Sequence, residues 1–328
     1  VVVVRRAAAA LACAIAIAFG PACRPDLDGR VSLVSAPRVL AVRAEPAEAA
    51  PRANVTYRAL VVDASGEVTA PSLDWAYCND RKPLAQLGPV SPACLQRAAD
   101  FLSPLGVGAA VTASTPETAC RQFGPDVPQA KLGEPAGRPV DPDPTGGYYQ
   151  PLRLALATPA GDAFTLGRAR ITCGLFGATS EQLHDFASRY RANANPSIDA
   201  LTLAGGAVVP IASSGAVGTA STGERLTLRA AWSECPDRTQ DCTGAETYAV
   251  FDLVSRSVVD HRESMRVAWF ASAGTFDVDH VGRDGEGAVS FVEDAWTAPP
   301  VPGRVHVWLV VRDDRGGVGW ESYEVDVK

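Results

Sequence analysis

RVLAVRAEPAEAAPRANVTYRALVVD, residues 38–63, carries the period of an extended chain. Val39 and Ala41, then Val55, Tyr57, Ala59 and Val61, fall on one side, with Pro46, Pro51 and Arg52 marking a turn between them. Alternate residues of a strand point to opposite faces, so the pattern predicts two strands that each lay one face on a core. The period continues outward. Leu73, Trp75 and Tyr77 give a third strand, and Leu152, Leu154 and Leu156, then Ala169, Ile171 and Cys173, give later ones. A second unit repeats the plan with Leu226, Leu228, Ala230 and Trp232, then Met265, Val267, Trp269 and Ala271. It continues around Val289 and Phe291, along Val305, Val307, Leu309 and Val311, and over 318–327. Asp313-Asp314-Arg315-Gly316-Gly317 is a hairpin turn in which glycine tolerates positive φ. Short strands at regular intervals predict an all-β fold of two sandwiches, with Trp75 and Trp269 as core anchors.

Two stretches break the pattern. Residues 79–148, rich in Pro, Gly, Ala and acids, read as a long insertion in the first unit, pinned by Cys94 and Cys120. It holds one short helix over Pro92–Leu102, with Ser91 as cap and Pro92 in the first turn. Insertions of this length are usually functional or disordered. Thr179-Ser180-Glu181-Gln182 is a capping box, followed by Leu183, Phe186, Ala187 and Tyr190 at helical spacing until Asn195-Pro196. This predicts a short helical linker over 179–195, packed between a first domain at 37–178 and a second at 196–328.

The N-terminus reads as an address. In VVVVRRAAAALACAIAIAFGPAC, Arg5 and Arg6 precede an apolar run from Ala7 to Phe19 and the small residues before Cys23. Residues 1–22 are expected to be a secretory signal peptide, too short in its apolar part for a transmembrane helix. Gly20-Pro21-Ala22-Cys23 resembles a bacterial lipobox, although Gly20 stands where an aliphatic residue is usual. Cys23 is therefore the candidate lipidation site, residues 23–36 the lipidated Cys and tether, and Arg24 rather than Asp after it favours the outer membrane. Six cysteines remain: Cys78, Cys94, Cys120, Cys173, Cys235 and Cys242. An even number in an exported chain predicts disulfides, and Cys235 with Cys242 is the pair bracketing one polar loop. Zinc is disfavoured, because no C-x-x-C pair occurs and no His lies near Cys235 or Cys242.

The 328 residues are 47% hydrophobic and carry 37 acids against 30 bases, a net charge of −7. With three lysines only (Lys82, Lys131 and Lys328), the chain lacks the clustered basic charge that nucleic acid requires. No nucleophile elbow, zinc-protease motif or phosphate loop occurs. Ser213-Ser214-Gly215 reads as a turn, and His184, Asp185 and His306 as solvated surface side chains. Asp277–Gly282 begins like a calcium loop but fails at Val281 and Ala288, and Asp313 with Asp314 suits a turn as well as a cation. Glu293 and Asp294, adjacent on a strand, point to opposite faces and do not make a glycosidase pair.

PRVLAVRAEPAEAAPRANVTYRALVVD and LDWAYC in the first unit, then MRVAWFASAGTF, TAPPVPGRVHVWLVVRDDRGG and VGWESYEVDV in the second, resemble bacterial immunoglobulin-like domains of the PKD or cadherin kind. The resemblance implies two immunoglobulin-like β-sandwich domains of an exported lipoprotein. It leaves open whether Cys78 and Cys173 bond each other or Cys94 and Cys120. The resulting expectation is a non-enzymatic cell-envelope lipoprotein without a cofactor, anchored by lipid in a membrane, with a structural or protein-binding role toward an envelope partner. The alternative is a carbohydrate-binding or polysaccharide-active protein whose site lies in the insertion; Trp308 and Trp320, on the strands flanking the last hairpin, read first as a cross-strand packing contact and otherwise as a docking patch for a glycan. Replacing Cys23 with Ser should move the protein from the membrane to the soluble fraction, read by fractionation and immunoblot; unchanged membrane association refutes the anchor.

Overall fold

The computed structural model of the chain describes residues 31–81, 90–96, 99–126, 143–203, 208–209, 217–235, 242–287 and 289–328. The first unit contains β1 (Arg38–Glu45), β2 (Glu48–Ala49), β3 (Asn54–Asp63), β4 (Gly66–Glu67), β5 (Leu73–Cys78), β6 (Leu102–Val107), β7 (Ala110–Ser114), β8 (Gly147–Thr158) and β9 (Gly161–Thr172). One sheet gathers β1, β4 and β7 around β3, and the other runs β2-β9-β8-β5-β6. Val55, Tyr57, Val61, Trp75, Leu152 and Leu154 fill the space between them. Trp75 is fully buried and its Nε1 donates to the Gly108 carbonyl at 2.8 Å.

The expected alternation fails at one place in β1. Val39 opposes Val61, but Ala41 opposes Leu60, so one residue is extra on β1. Such a bulge exchanges the faces on either side of it. Val39, Val42 and Ala44 keep to the core, while Leu40 and Ala41 turn outward together with Leu60 and Val62 of β3. Ala41, expected inward with Val39, is therefore corrected to the outer face.

The described part of 79–148 is corrected: it includes two strands of the sandwich, since β6 extends one sheet beside β5 and β7 extends the other beside β3. The expected helix over Pro92–Leu102 shrinks to a single 3-10 turn at Pro92–Leu95, in which Ser91 Oγ accepts from the Ala93 amide, and Leu102 already begins β6. Pro104 and Gly106 mask that strand in the sequence, and Pro104 is tolerated because β6 is an edge strand. A short helix, α1 (Ala119–Gln122), follows β7.

The capping box forms as expected: Thr179 Oγ1 accepts from the Gln182 amide and Gln182 Oε1 accepts from the Thr179 amide, opening α2 (Ser180–Arg189). The second unit then contains β10 (Ala200–Leu203), β11 (Val208–Val209), β12 (Val217–Ala220), β13 (Arg225–Ala231), β14 (Thr247–Asp252), β15 (Ser257–Arg262), β16 (Met265–Ala271), β17 (Thr275–Phe276), β18 (His280–Arg283), β19 (Phe291–Thr297), β20 (Gly303–Asp313) and β21 (Val318–Val327). Its sheets run β11-β10-β13-β19-β17 and β12-β21-β20-β16-β18, enclosing Trp269 and Trp296. β14 and β15 stand apart as a hairpin. Phe186 of α2 packs on Ala249, Phe251 and Val258 of that hairpin and also meets the first unit at Gly146, where a Cβ would approach its ring to 2.8 Å. Residues 31–34 do not behave as the free tether expected of 23–36: the Val34 amide donates to Ala271 and the Ala271 amide donates to Ser32, docking the segment on β16.

The cysteines pair as Cys78–Cys94, Cys120–Cys173 and Cys235–Cys242, which settles the alternatives left open for Cys78 and Cys173. The sequence separations are 16, 53 and 7. Longer closed loops restrict the unfolded chain more, so the Cys120–Cys173 bond is worth about 4 kcal/mol and Cys235–Cys242 about 2.5 kcal/mol in the chain-entropy account. Denaturant melts of the paired Cys→Ser variants should rank in that order; a larger loss for Cys235–Cys242 would contradict it.

Candidate functional site: the junction of the two sandwiches

Both faces of β20 are apolar. Val305, Val307, Leu309 and Val311 enter the core of the second unit, while Trp308 and Val310 point the other way. The bulge in β1 and the ALVV run of β3 present a matching surface on the first unit. Leu40, Ala41, Leu60 and Val62 pack there on Phe270, Trp308, Val310 and Val318. Trp308 is 1% exposed, so the docking-patch reading is corrected and Trp308 is a packing residue: the second sandwich face needs a cover, and the first sandwich supplies it. Trp320 lies at the rim of this cluster, half-buried beneath the Arg43 guanidinium, 5.0 Å from the ring centre. His306, expected on the open surface, is half-buried, stacked on Trp308 and facing Gly66.

Beside the apolar contact lies a polar one. Glu48 and Arg170 are closed to water, at 0% and 1% side-chain exposure, and are joined by a 2.9 Å hydrogen bond from Arg170 Nε to Glu48 Oε2. The Asn193 amide donates to the same oxygen at 3.0 Å, and Thr172 and Tyr190 hydroxyls donate to Oε1. Burial alone would raise the Glu48 pKa, but the Arg170 charge and these donors hold it below the usual carboxylate range. Arg170 also donates to Thr145 Oγ1 at 2.8 Å and to the Tyr149 hydroxyl at 3.3 Å. Tyr149 in turn donates to the Arg315 carbonyl at 3.0 Å, which carries the network from the first sandwich into the β20–β21 turn.

Arg315 gathers the other half. Its Nε donates to Glu263 at 2.6 Å, Nη2 to Glu246 at 2.8 Å and Nη1 to the Arg191 carbonyl at 2.9 Å, while its guanidinium lies 4.5 Å from the Tyr248 ring centre. Asp313 accepts from Asn193 Nδ2 at 3.1 Å and from the Gly317 amide at 2.8 Å. Burial raises the Asp313 pKa, and burial with the Asp313 charge raises that of Glu263 well above the carboxylate range. Linker residues 190–195 are the common element: Tyr190 and Asn193 bind Glu48, Asn193 binds Asp313, and the Ala194 amide binds Glu246.

The remaining sequence candidates fall elsewhere. Asp314 accepts from the Ser264 amide and hydroxyl, away from Asp313, and among the described residues no group of three His, Cys, Asp or Glu side chains is placed to hold a metal ion. Glu293 is exposed and paired with Arg229 at 2.7 Å, whereas Asp294 is buried, which pushes its pKa up to about 6. His184 and Asp185 are exposed on α2. Cys23 with the whole of 1–30, Ser213-Ser214-Gly215, the 236–241 loop and Ala288 lie outside the described residues. Sequence reading missed Glu48, Arg170, Glu246, Glu263 and Arg315, and nothing local marked them: Arg170, between the inward residues Ala169 and Ile171, falls on the face expected to meet water, as charged residues ordinarily do.

Arg315 holds two buried carboxylates, so removing it leaves uncompensated charge, a loss of about 3–5 kcal/mol. Arg315→Gln should lower the urea midpoint accordingly, while Arg304→Gln, at an exposed pair with Glu324 and Asp326, should leave it in place. Equal effects would refute the role of this buried Arg315 network as the latch between the sandwiches.

No protein-family model matches the chain, and none of the curated proteins does. Among solved structures the chain is similar to the adhesin InvE of Yersinia pseudotuberculosis, at 11% identity and a TM-score of 0.22 over 90% of this chain and 61% of that one. It is similar to the Escherichia coli adhesin FdeC at 11% identity and a TM-score of 0.19, over 90% of this chain and 65% of that one. It is also similar to latent PorU of Porphyromonas gingivalis at 11% identity and a TM-score of 0.20, over 90% and 34%. The chain spans less than two thirds of the length of each of these proteins.

Proposed function

We propose that this chain is a non-enzymatic component of the bacterial cell envelope, exported, held at the membrane by lipid on Cys23, and working as a rigid module that binds a protein partner. The observation that carries this reading is the junction. An apolar cluster and a buried charge network fasten the same two sandwiches side by side. Buried ion pairs contribute little net stability compared with apolar substitutes, but their directional hydrogen bonds fix one orientation. A chain so joined displays its loops in one geometry. Three disulfides fit the oxidising compartment that export implies.

The β14–β15 hairpin is the element best placed to meet a partner. Its base is tied into the junction through Tyr248 beneath Arg315 and through Glu246 and Glu263 at its two ends. Its tip holds Leu253 and Val254 out, at 62% and 96% exposure. Asp252 accepts from the Val254 and Ser255 amides at 2.7 Å each, and Arg256 at φ 54° completes the turn, so the tip is preformed. Two adjacent apolar side chains on a preformed tip cost little to order on binding.

A photo-crosslinker placed at exposed Ser255, beside the two apolar side chains, in the native envelope, followed by mass spectrometry, should trap one protein in stoichiometric amount. Leu253→Asp with Val254→Asp should abolish that adduct without lowering the melting temperature. No protein adduct, or one indifferent to the double substitution, refutes the hairpin as the contact.

A further inference from the structure

A cleft of about 280 Å³ opens where β1, β9 and the β20–β21 hairpin meet, at the seam between the sandwiches. Arg168 and Arg312 line it, together with the segments 40–42 and 165–167 and with Gly316 and Val318. A third guanidinium stands close by, because Arg266 is the direct cross-strand partner of Arg312 on β16 and β20. Residues opposed in this way have Cβ atoms about 5 Å apart, and like charges so placed are destabilising. Arg312 donates Nη2 to the Leu40 carbonyl at 3.0 Å, its single protein acceptor among the described residues. Arg168 is exposed, with its guanidinium 4.7 Å from the Tyr149 ring centre, which holds it at the rim.

None of the three makes an ion pair among the described residues. The carboxylate nearest in sequence, Asp313, also lines the cleft, but it is turned to Asn193 and the Gly317 amide. In a chain with more acids than bases, a site that gathers arginines and leaves them unpaired is set against the overall charge. Burial and the charges of Arg266 and Arg168 depress the Arg312 pKa, so an anion in the cleft relieves a repulsion already present.

We infer that this cleft is an oxyanion site that takes a phosphate dianion, free or as a phosphomonoester. Guanidinium forks match the spacing of phosphoryl oxygens, and a dianion balances two or three cations where a monocarboxylate balances one. The volume, at the lower end for small-molecule sites, suits one phosphoryl group and a small part of whatever bears it. Gly167 lets β1 and β9 approach each other closely on the core side of the cleft wall, since a Cβ there would meet Val42 at 3.2 Å. The inference does not rest on the partner-binding reading, because a chain without a protein partner would hold the anion equally well.

The test is calorimetry on the intact mature chain with inorganic phosphate, sn-glycerol 3-phosphate and acetate, alongside NMR of the arginine Nε–H signals. Saturable binding of either phosphate probe is expected, weaker by about tenfold in Arg168→Gln and in Arg312→Gln, with acetate at least about tenfold weaker than phosphate. Binding of the ester alone points to a phosphorylated ligand, and binding of inorganic phosphate alone to the free ion. Arg312 also touches the seam, so exposed Arg168 gives the decisive variant, its melting temperature remaining that of the parent. No saturable binding of either phosphate probe up to about 10 mM, or binding undiminished by Arg168→Gln, overturns the inference.

Discussion

The Arg315 guanidinium sits almost closed to water, donating to Glu263, Glu246 and the Arg191 carbonyl. Much else depends on that placement. Arg315 occupies a hairpin turn, ordinarily the most exposed part of a sheet, and it is buried because the linker 190–195, the base of the β14–β15 hairpin and Tyr149 of the first sandwich all close over it. Its three acceptors come from two separate parts of the chain, the hairpin base and the linker. A guanidinium with five donors in a fixed plane can satisfy such a set only when those parts hold one arrangement. The apolar seam supplies most of the adhesion; this cation supplies the orientation.

The seam exists because several strands are apolar on both sides. β20 sends Val305, Val307, Leu309 and Val311 one way and Trp308 and Val310 the other, and β3 does likewise with Val61 against Leu60 and Val62. A sandwich strand with a solvated outer face alternates apolar and polar residues, whereas continuous apolar runs need cover on two sides. Each unit alone would expose such a face. Together they cover it, and the bulge in β1 adds Leu40 and Ala41 to the same surface.

This explains which features were legible in the sequence. The inward sets Val55–Val61, Leu152–Leu156, Met265–Ala271 and Val305–Val311 declared themselves by period, and the capping box of α2 by its residues. The run WLVV at 308–311 announced burial on both faces but carried no indication of what lay opposite, so Trp308 was left between a packing contact and a docking patch. Ala41 was misplaced because a bulge leaves no mark in an alternating pattern. β6 was hidden by Pro104 and Gly106, and the β14–β15 hairpin was passed over in the sequence reading. The latch was illegible for another reason. Glu48 and Asn193 are separated by 145 residues, and Arg315 and Glu246 by 69, so no local spacing relates them.

The seam and the cleft have a common origin. Two twisted sheets laid face to face meet closely along one line and diverge at the ends of the contact. Near the middle of this contact lie Trp308 and Val310, and toward the β20–β21 turn the surfaces part around Arg312. Val318, opposite Arg312, carries the seam to that end, and beside it the chain sets Arg266 and Arg312 opposite each other, with Arg168 on the facing sandwich. Because the latch lies on the other side of Asp313, it also fixes the separation of the cleft's two walls, so the network that orients the sandwiches sets the reach of arginines contributed by both.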